Sequence, residues 1–141
     1  MAHIIRDITE ITRCGVEYRT SKFAPMGLKA CHGSYLQEIC ANPGISQEQL
    51  AKSICINKSN VARQAAALEE GGFVERRSCG KDKRVMRLYP TEKTLALLPQ
   101  IESIMKEWQA WLTQDLEPEQ LLLLENMLLR MKARASACME D

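Results

Sequence analysis

Apolar positions near the N-terminus recur at steps of four and three: Ile4, Ile8, Ile11, Gly15 and Tyr18. That spacing predicts one stripe of an amphipathic helix over residues 4–20. A stripe so early in the chain needs a distant cover, either later helices or a second chain. Phe23–Gly27 then breaks the pattern. Pro25 is expected to hold Ala24 in extended geometry, and Gly27 permits a turn. A second helix is expected over Lys29–Ala41, with Tyr35, Leu36, Ile39 and Cys40 inward. Asn42-Pro43-Gly44 is a strong stop.

The next stretch, Ile45–Tyr89, changes period twice. Ser46 with Gln49 three residues on predicts a capping box for a helix over 47–54, with Leu50, Ala51 and Ile54 inward. Asn57 is placed to cap a helix over 58–70 that buries Val61, Ala65 and Leu68 and ends at Gly71-Gly72. Phe73–Arg77 and Arg84–Tyr89 read as two strands around a Gly-containing loop, Ser78–Lys83. Helix, turn, helix and hairpin in this order describe a winged helix-turn-helix. Thr91 is placed to cap a long helix to about Gln114, with Leu95, Leu98, Ile101, Met105, Trp108 and Leu112 as its stripe and a kink expected at Pro99. Pro118 suits the first position of a last helix reaching about residue 136. Leu121–Leu124 and Met127–Leu129 put apolar groups on more than one face of it, which suggests a subunit interface.

The expected fold is mainly α with a small β-hairpin wing. It is a single domain over residues 1–141, with a winged helix-turn-helix lobe at 28–98 and a helical dimerisation region formed by 1–27 and 99–141. An apolar content of 45% among 141 residues supports a core, and 5% aromatics suits a helical chain.

Net charge is only +1, but its distribution is uneven. Residues 52–87 carry nine basic and four acidic groups, whereas residues 88–141 carry five basic and nine acidic. A positive patch on a near-neutral protein is what phosphate binding requires. The helix at 58–70 opens with Lys58, Ser59, Asn60, Arg63 and Gln64, donor-rich side chains suited to base edges and phosphates. Ser46 and Gln47 start the preceding helix, and the wing carries Arg77, Lys81, Lys83 and Arg84. Together these form the candidate DNA-binding set. Asp82 among these cations would repel phosphate, so an internal salt bridge that braces the wing explains it better.

Six cysteines, at 14, 31, 40, 55, 79 and 138, show no CxxC spacing, and only two histidines accompany them. No metal site and no cofactor are expected. The N-terminus lacks a signal-peptide core, and the longest apolar run, Leu121–Leu124, is far too short to span a bilayer. A cytoplasmic protein with reduced thiols and no membrane partner is expected. No nucleophile, base and orienting group form a recognisable arrangement, so an enzyme is not expected.

With these residues in place, the chain resembles the MarR family of bacterial transcriptional regulators over about Ile4 to Ala137. The matching residues include Gly27-Leu28 and Pro43-Gly44-Ile45-Ser46-Gln47 leading into Leu50-Ala51. Asn57-Lys58-Ser59-Asn60-Val61-Ala62-Arg63 follows, then Leu68-Glu69-Glu70 with Gly72-Phe73-Val74 and Arg76. Asp82 with Arg84 two residues on is the most specific pair, followed by Thr91-Glu92-Lys93. Pro90 stands where the family often has Leu, and Thr94 where it often has Gly.

The resemblance implies a homodimer on double-stranded DNA, a recognition helix at 58–70 and a wing at 74–89. Within that wing it implies Arg84 in the minor groove with Asp82 as its brace. It also implies a small-molecule effector, often aromatic, where the dimer helices meet the DNA-binding lobe. Tyr18, Phe23, Met26, His32, Tyr35, Met105 and Trp108 are the candidate lining, and plain core packing is the competing account of each. Two other readings stand beside the effector-released repressor. One is a thiol sensor using Cys79, in the cationic wing, or Cys14, beside the N-terminal stripe. The other is a winged-helix module that binds protein and not DNA.

Overall fold

The computed structural model describes residues 2–139. The elements run α1 (Ile4–Phe23), a 3-10 turn (Ala24–Met26), α2 (His32–Ala41), β1 (Ile45–Ser46), α3 (Gln47–Ser53) and α4 (Lys58–Glu70). They continue as β2 (Val74–Ser78), β3 (Met86–Pro90), α5 (Glu92–Leu112) and α6 (Pro118–Met139). The fold is mainly helical with one three-stranded antiparallel sheet, the winged-helix arrangement. None of the helices is long and apolar enough to cross a membrane, among the described residues.

Two compact units divide the chain, one ending at Lys106 and the other beginning at Glu107, so the boundary falls within α5. In the first unit the core is Phe23, Leu28, Tyr35, Leu36, Ile39, Leu50, Val61, Ala65, Leu68, Phe73, Val74, Leu88 and Ile101, each under a twentieth exposed. It joins the inner faces of α2, α3 and α4 to β2, β3 and the start of α5. Close packing extends to Gly33, where a Cβ would lie 2.9 Å from the Met105 sulfur and 3.0 Å from the Phe23 ring. A side chain at this position would force Met105 and Phe23 to shift.

Where α1 ends, the chain does not become extended at Ala24. Its φ of −52° and ψ of −44° are helical, and Pro25 occupies the first turn of the 3-10 segment. Proline there loses no helical hydrogen bond, so it is tolerated. The break falls at Gly27, whose φ of 77° is left-handed. The Ile4, Ile8 and Ile11 stripe is exposed, and only Gly15 and Phe23 of α1 are buried.

The sheet contains a strand the sequence pattern did not predict. β1 pairs through Ile45 with Leu88 and Ser46 with Arg87, which makes β3 the central strand in the order β1-β3-β2. The hairpin begins and ends later than predicted: Val74 faces Pro90 and Ser78 faces Met86. The α5 stripe is also displaced at its start. Leu95 is exposed, and Thr94 is fully buried in its place. The Thr94 hydroxyl donates to the Phe73 carbonyl at 2.6 Å, and that of Thr91 donates to Gly72 at 2.7 Å. A buried carbonyl needs a donor, so the polar residue turns inward. The second unit contains α6, which has no fully buried residue among those described.

Candidate nucleic-acid interface

Two caps set the helix-turn-helix. The Ser46 hydroxyl accepts the Gln49 backbone N–H at 3.1 Å, and the Gln49 side chain accepts the Ser46 N–H at 3.1 Å. This is a complete capping box, and it starts α3 at Gln47. Asn57 accepts the Asn60 backbone N–H at 2.8 Å and also takes the Ser59 hydroxyl at 2.9 Å. The same cap therefore starts α4 and orients a side chain on its first turn.

Val61, Ala65 and Leu68 fix the inner face of α4, which leaves Ser59 and Arg63 outward. The Arg63 guanidinium donates to the Asn60 side chain at 2.9 Å, one turn back. Lys58 pairs with Glu48 of α3 at 2.9 Å, with both side chains largely exposed. The lysine holds the Glu48 carboxyl below its ordinary pKa. Solvent screens an exposed pair of this kind and leaves it weak, so a phosphate can displace the carboxylate. Ser46, Gln47, Lys58, Ser59 and Arg84 line one cleft of about 380 Å³, with Ala62, Val85 and Met86 as its apolar part. The Gln47 side-chain oxygen is buried there without a partner among the described residues.

The wing is anchored at its base and open at its tip. Glu69 of α4 accepts the Arg76 backbone N–H at 3.0 Å and its guanidinium at 3.1 Å. Those bonds lower the Glu69 pKa and remove Arg76 from the cations that could reach DNA. Arg77 is also engaged, by Glu75 at 2.6 Å and by the Tyr89 ring 4.3 Å from its guanidinium carbon. At the tip, Val85 donates to the Asp82 carbonyl and Cys79 to the Val85 carbonyl, which closes the loop. The Asp82 carboxylate takes the Arg84 backbone N–H at 3.0 Å and its Nε at 3.2 Å, bonds that depress the Asp82 pKa. The Arg84 side chain is nevertheless 92% exposed. Lys81 and Lys83 are exposed beside it, with no ion pair among the described residues.

Burial separates the candidate effector residues. Phe23, His32 and Tyr35 are buried in the first unit, and Tyr18, Met26 and Met105 pack partly buried against its core. Trp108 is half-buried in the second unit. The Tyr35 hydroxyl has no partner among the described residues, and burial pushes its pKa up. A cavity of about 480 Å³ lies nearby in sequence, lined by Val16, Arg19, Thr20, Ala24 and residues 28–31. His32 and Gln64 share a hydrogen bond of 2.9 Å.

Of the candidate thiols, Cys14 is half-buried with the Arg13 guanidinium 3.8 Å from its sulfur. The Cys79 pKa is lowered, first by the Lys81 backbone N–H, then by the Arg87 side chain and the Asp82 N–H. In the sequence Cys79 is surrounded by wing cations in bulk, whereas in the fold the cation that acts on it is Arg87. That residue also donates to the Gly44 carbonyl at 2.9 Å, tying β3 to the turn before β1. Its alternation with buried Leu88 was the available signal. Glu48, an acid inside the cleft, was also passed over.

The MarR family model matches residues 31–86, from the start of α2 to the first residue of β3. The HTH-type transcriptional regulator YybA of Bacillus subtilis (strain 168) is 33% identical over 99 residues. That match spans 70% of this chain and 66% of YybA, just under two thirds of the relative. A crystal structure of the transcriptional regulator SlyA superposes with a TM-score of 0.92 at 30% identity, covering 96% of each chain. A MarR family regulator from Listeria monocytogenes, solved in complex with 26mer DNA, superposes with a TM-score of 0.88 at 28% identity. That match covers 95% of this chain and 89% of the other. The chain belongs to the MarR family of transcriptional regulators, a family of regulators and not of enzymes.

Proposed function

We propose that this regulator acts in the cytoplasm as a homodimeric repressor on duplex DNA, with α4 of each subunit in the major groove and Arg84 of each wing in the minor groove. Ser46, Gln47, Lys58, Ser59, Asn60, Arg63, Gln64, Lys81 and Lys83 supply the remaining phosphate and base contacts. The observation that carries this reading is Arg84. Asp82 holds its backbone and Nε, while 92% of the side chain stays exposed. A tethered, extended guanidinium loses little freedom on entering a narrow groove. Two recognition helices on a two-fold axis suit a pseudo-palindromic site with half-sites about one helical turn apart. The lobe at 28–98 contains the DNA-facing elements, and the helices outside it form the dimer. The Listeria relative solved with 26mer DNA supports DNA as the partner.

The test is an anisotropy titration on duplexes selected from random DNA. Arg84→Ala should weaken binding about tenfold, within the range for a good groove contact, and Lys106→Ala should leave it unchanged. Affinity should fall steeply with salt. Equal effects of the two substitutions would remove the wing assignment.

The cavity of about 480 Å³ beside α1, with Arg19 and Lys29 in its lining, supports release by a small anionic, partly apolar effector. The lowered pKa of Cys79 favours a second mode of release, by thiol modification. Peptide mapping should find Cys79 alkylated before the exposed Cys31, Cys55 and Cys138. Unchanged DNA affinity after mild peroxide would eliminate this mode.

A further inference from the structure

His32 opens α2 and is buried, while Gln64 lies on the flank of α4 next to Arg63. The Lys29 backbone nitrogen is 3.0 Å from His32 Nδ1. A backbone N–H can only donate, so Nδ1 is the acceptor. The neutral ring must then carry its proton on Nε2. Nε2 lies 2.9 Å from the Gln64 side chain, so the atom facing it must accept, and that atom is Oε1. Chemistry alone thus orients an amide whose two ends are otherwise hard to tell apart. Each bond in the series fixes the next, from Lys29 to His32 to Gln64.

Glutamine reads adenine with both ends, its oxygen accepting from N6 and its nitrogen donating to N7. With Oε1 drawn inward to His32, the –NH2 end is the one left to face a base. In the major groove a lone donor meets two acceptors on guanine, O6 and N7, and one on thymine, O4; adenine also offers N7, but beside it stands the N6 amino group, a second donor that only a free Oε1 would accept.

We propose that His32 is a positioning residue for base recognition: it holds Gln64 oxygen-inward and so makes this point of α4 a donor that selects guanine or thymine over adenine. This rests on the reading of α4 as the helix that enters the major groove. His32 itself touches no DNA and acts only through Gln64.

The experiment is selection from random duplexes, followed by sequencing, for the wild type, Gln64→Ala, Gln64→Glu, His32→Leu and His32→Gln. The base pair whose preference vanishes in Gln64→Ala marks the position, and the wild type should prefer guanine or thymine there. Gln64→Glu keeps one oxygen for His32 and puts a second where the –NH2 stood. It should move that pair to cytosine, whose N4 donates, with roughly five- to tenfold enrichment. His32→Leu frees Oε1, so adenine should rise at the same pair. His32→Gln returns a donor and should restore the wild-type preference. If His32→Leu fails to fold, the wild-type preference still decides, because adenine there would mean that Oε1 is free to read N6.

Adenine preferred by the wild type, no position altered by Gln64→Ala, or an unshifted preference in Gln64→Glu would each overturn the proposal while the DNA-binding reading stands. A wild type that enriches no duplex would overturn that reading and the proposal with it.

Discussion

In the sequence His32 stands only among the candidate effector-lining residues, and the helical stripe of residues 29–41 does not include it. Its role depends on a residue 32 positions away, so no local pattern could reveal the bond. In the fold, burial pushes its pKa below the ordinary 6.5; the Gln64 bond opposes this and the Lys29 cation adds to it. The Tyr35 ring packs edge-on against it, with centroids 6.4 Å apart. Protonation would also set two donors, Nδ1–H and the Lys29 N–H, against each other. The sign follows from linkage. The unfolded chain binds a proton more readily than the folded one, so this contribution to stability is complete above about pH 6.5 and is lost as pH falls through the window below it. Urea midpoints taken at about pH 7.5 and about pH 5.5 should separate more for the wild type than for His32→Gln. Equal separations would show that His32 does not titrate on unfolding.

At the scale of elements, what the sequence made legible was local. The capping box at Ser46, the Asn57 cap and the Gly71-Gly72 stop are decided by neighbours within one turn, and α4 spans Lys58–Glu70 as predicted. β1 is two residues long and exists only through Leu88 and Arg87 of β3, so period-two patterning had nothing to detect. The commitments of Arg76 to Glu69 and of Arg77 to Glu75 and Tyr89 were hidden for the same reason, because charge counting cannot see which cations are already paired. The turn between α3 and α4 carries a strain that its composition did not advertise. Cys55 has a φ of 58°, the only left-handed non-glycine among the described residues. That conformation costs a residue with a Cβ about 1–2 kcal/mol, whereas glycine adopts it freely but loses more entropy on folding. Cys55→Gly should therefore stabilise the fold by about 0.5–1 kcal/mol net, read as a higher melting temperature. A lower one would mean that the Cys55 side chain contributes packing that its exposure does not suggest.

For the molecule as a whole, the feature that needs an explanation is apolar surface without a cover. In α6, Leu122 and Leu129 are 61% and 62% exposed, and their spacing of seven puts them on one face. In α1, Ile4, Ile8 and Ile11 are exposed at helical spacing. Single exposed apolar residues are ordinary, but a repeated stripe on each of these helices is what the proposed dimer would cover. Self-association also meets the functional need. On the proposed two-fold site a lone subunit would read one half-site, whereas a dimer would make the second contact intramolecular and gain about 10²–10⁴ in avidity. Replacing both leucines, Leu122→Asp with Leu129→Asp, should therefore shift sedimentation equilibrium from dimer to monomer. It should lower affinity for a two-half-site duplex by about 10²-fold or more and leave affinity for a single half-site nearly unchanged. The winged-helix unit holds its own core, so circular dichroism should still report folded helix. A wild type that sediments as a monomer at micromolar concentration, or a double variant that keeps full affinity for the two-half-site duplex, would rule out these helices as the link between the two DNA-reading lobes.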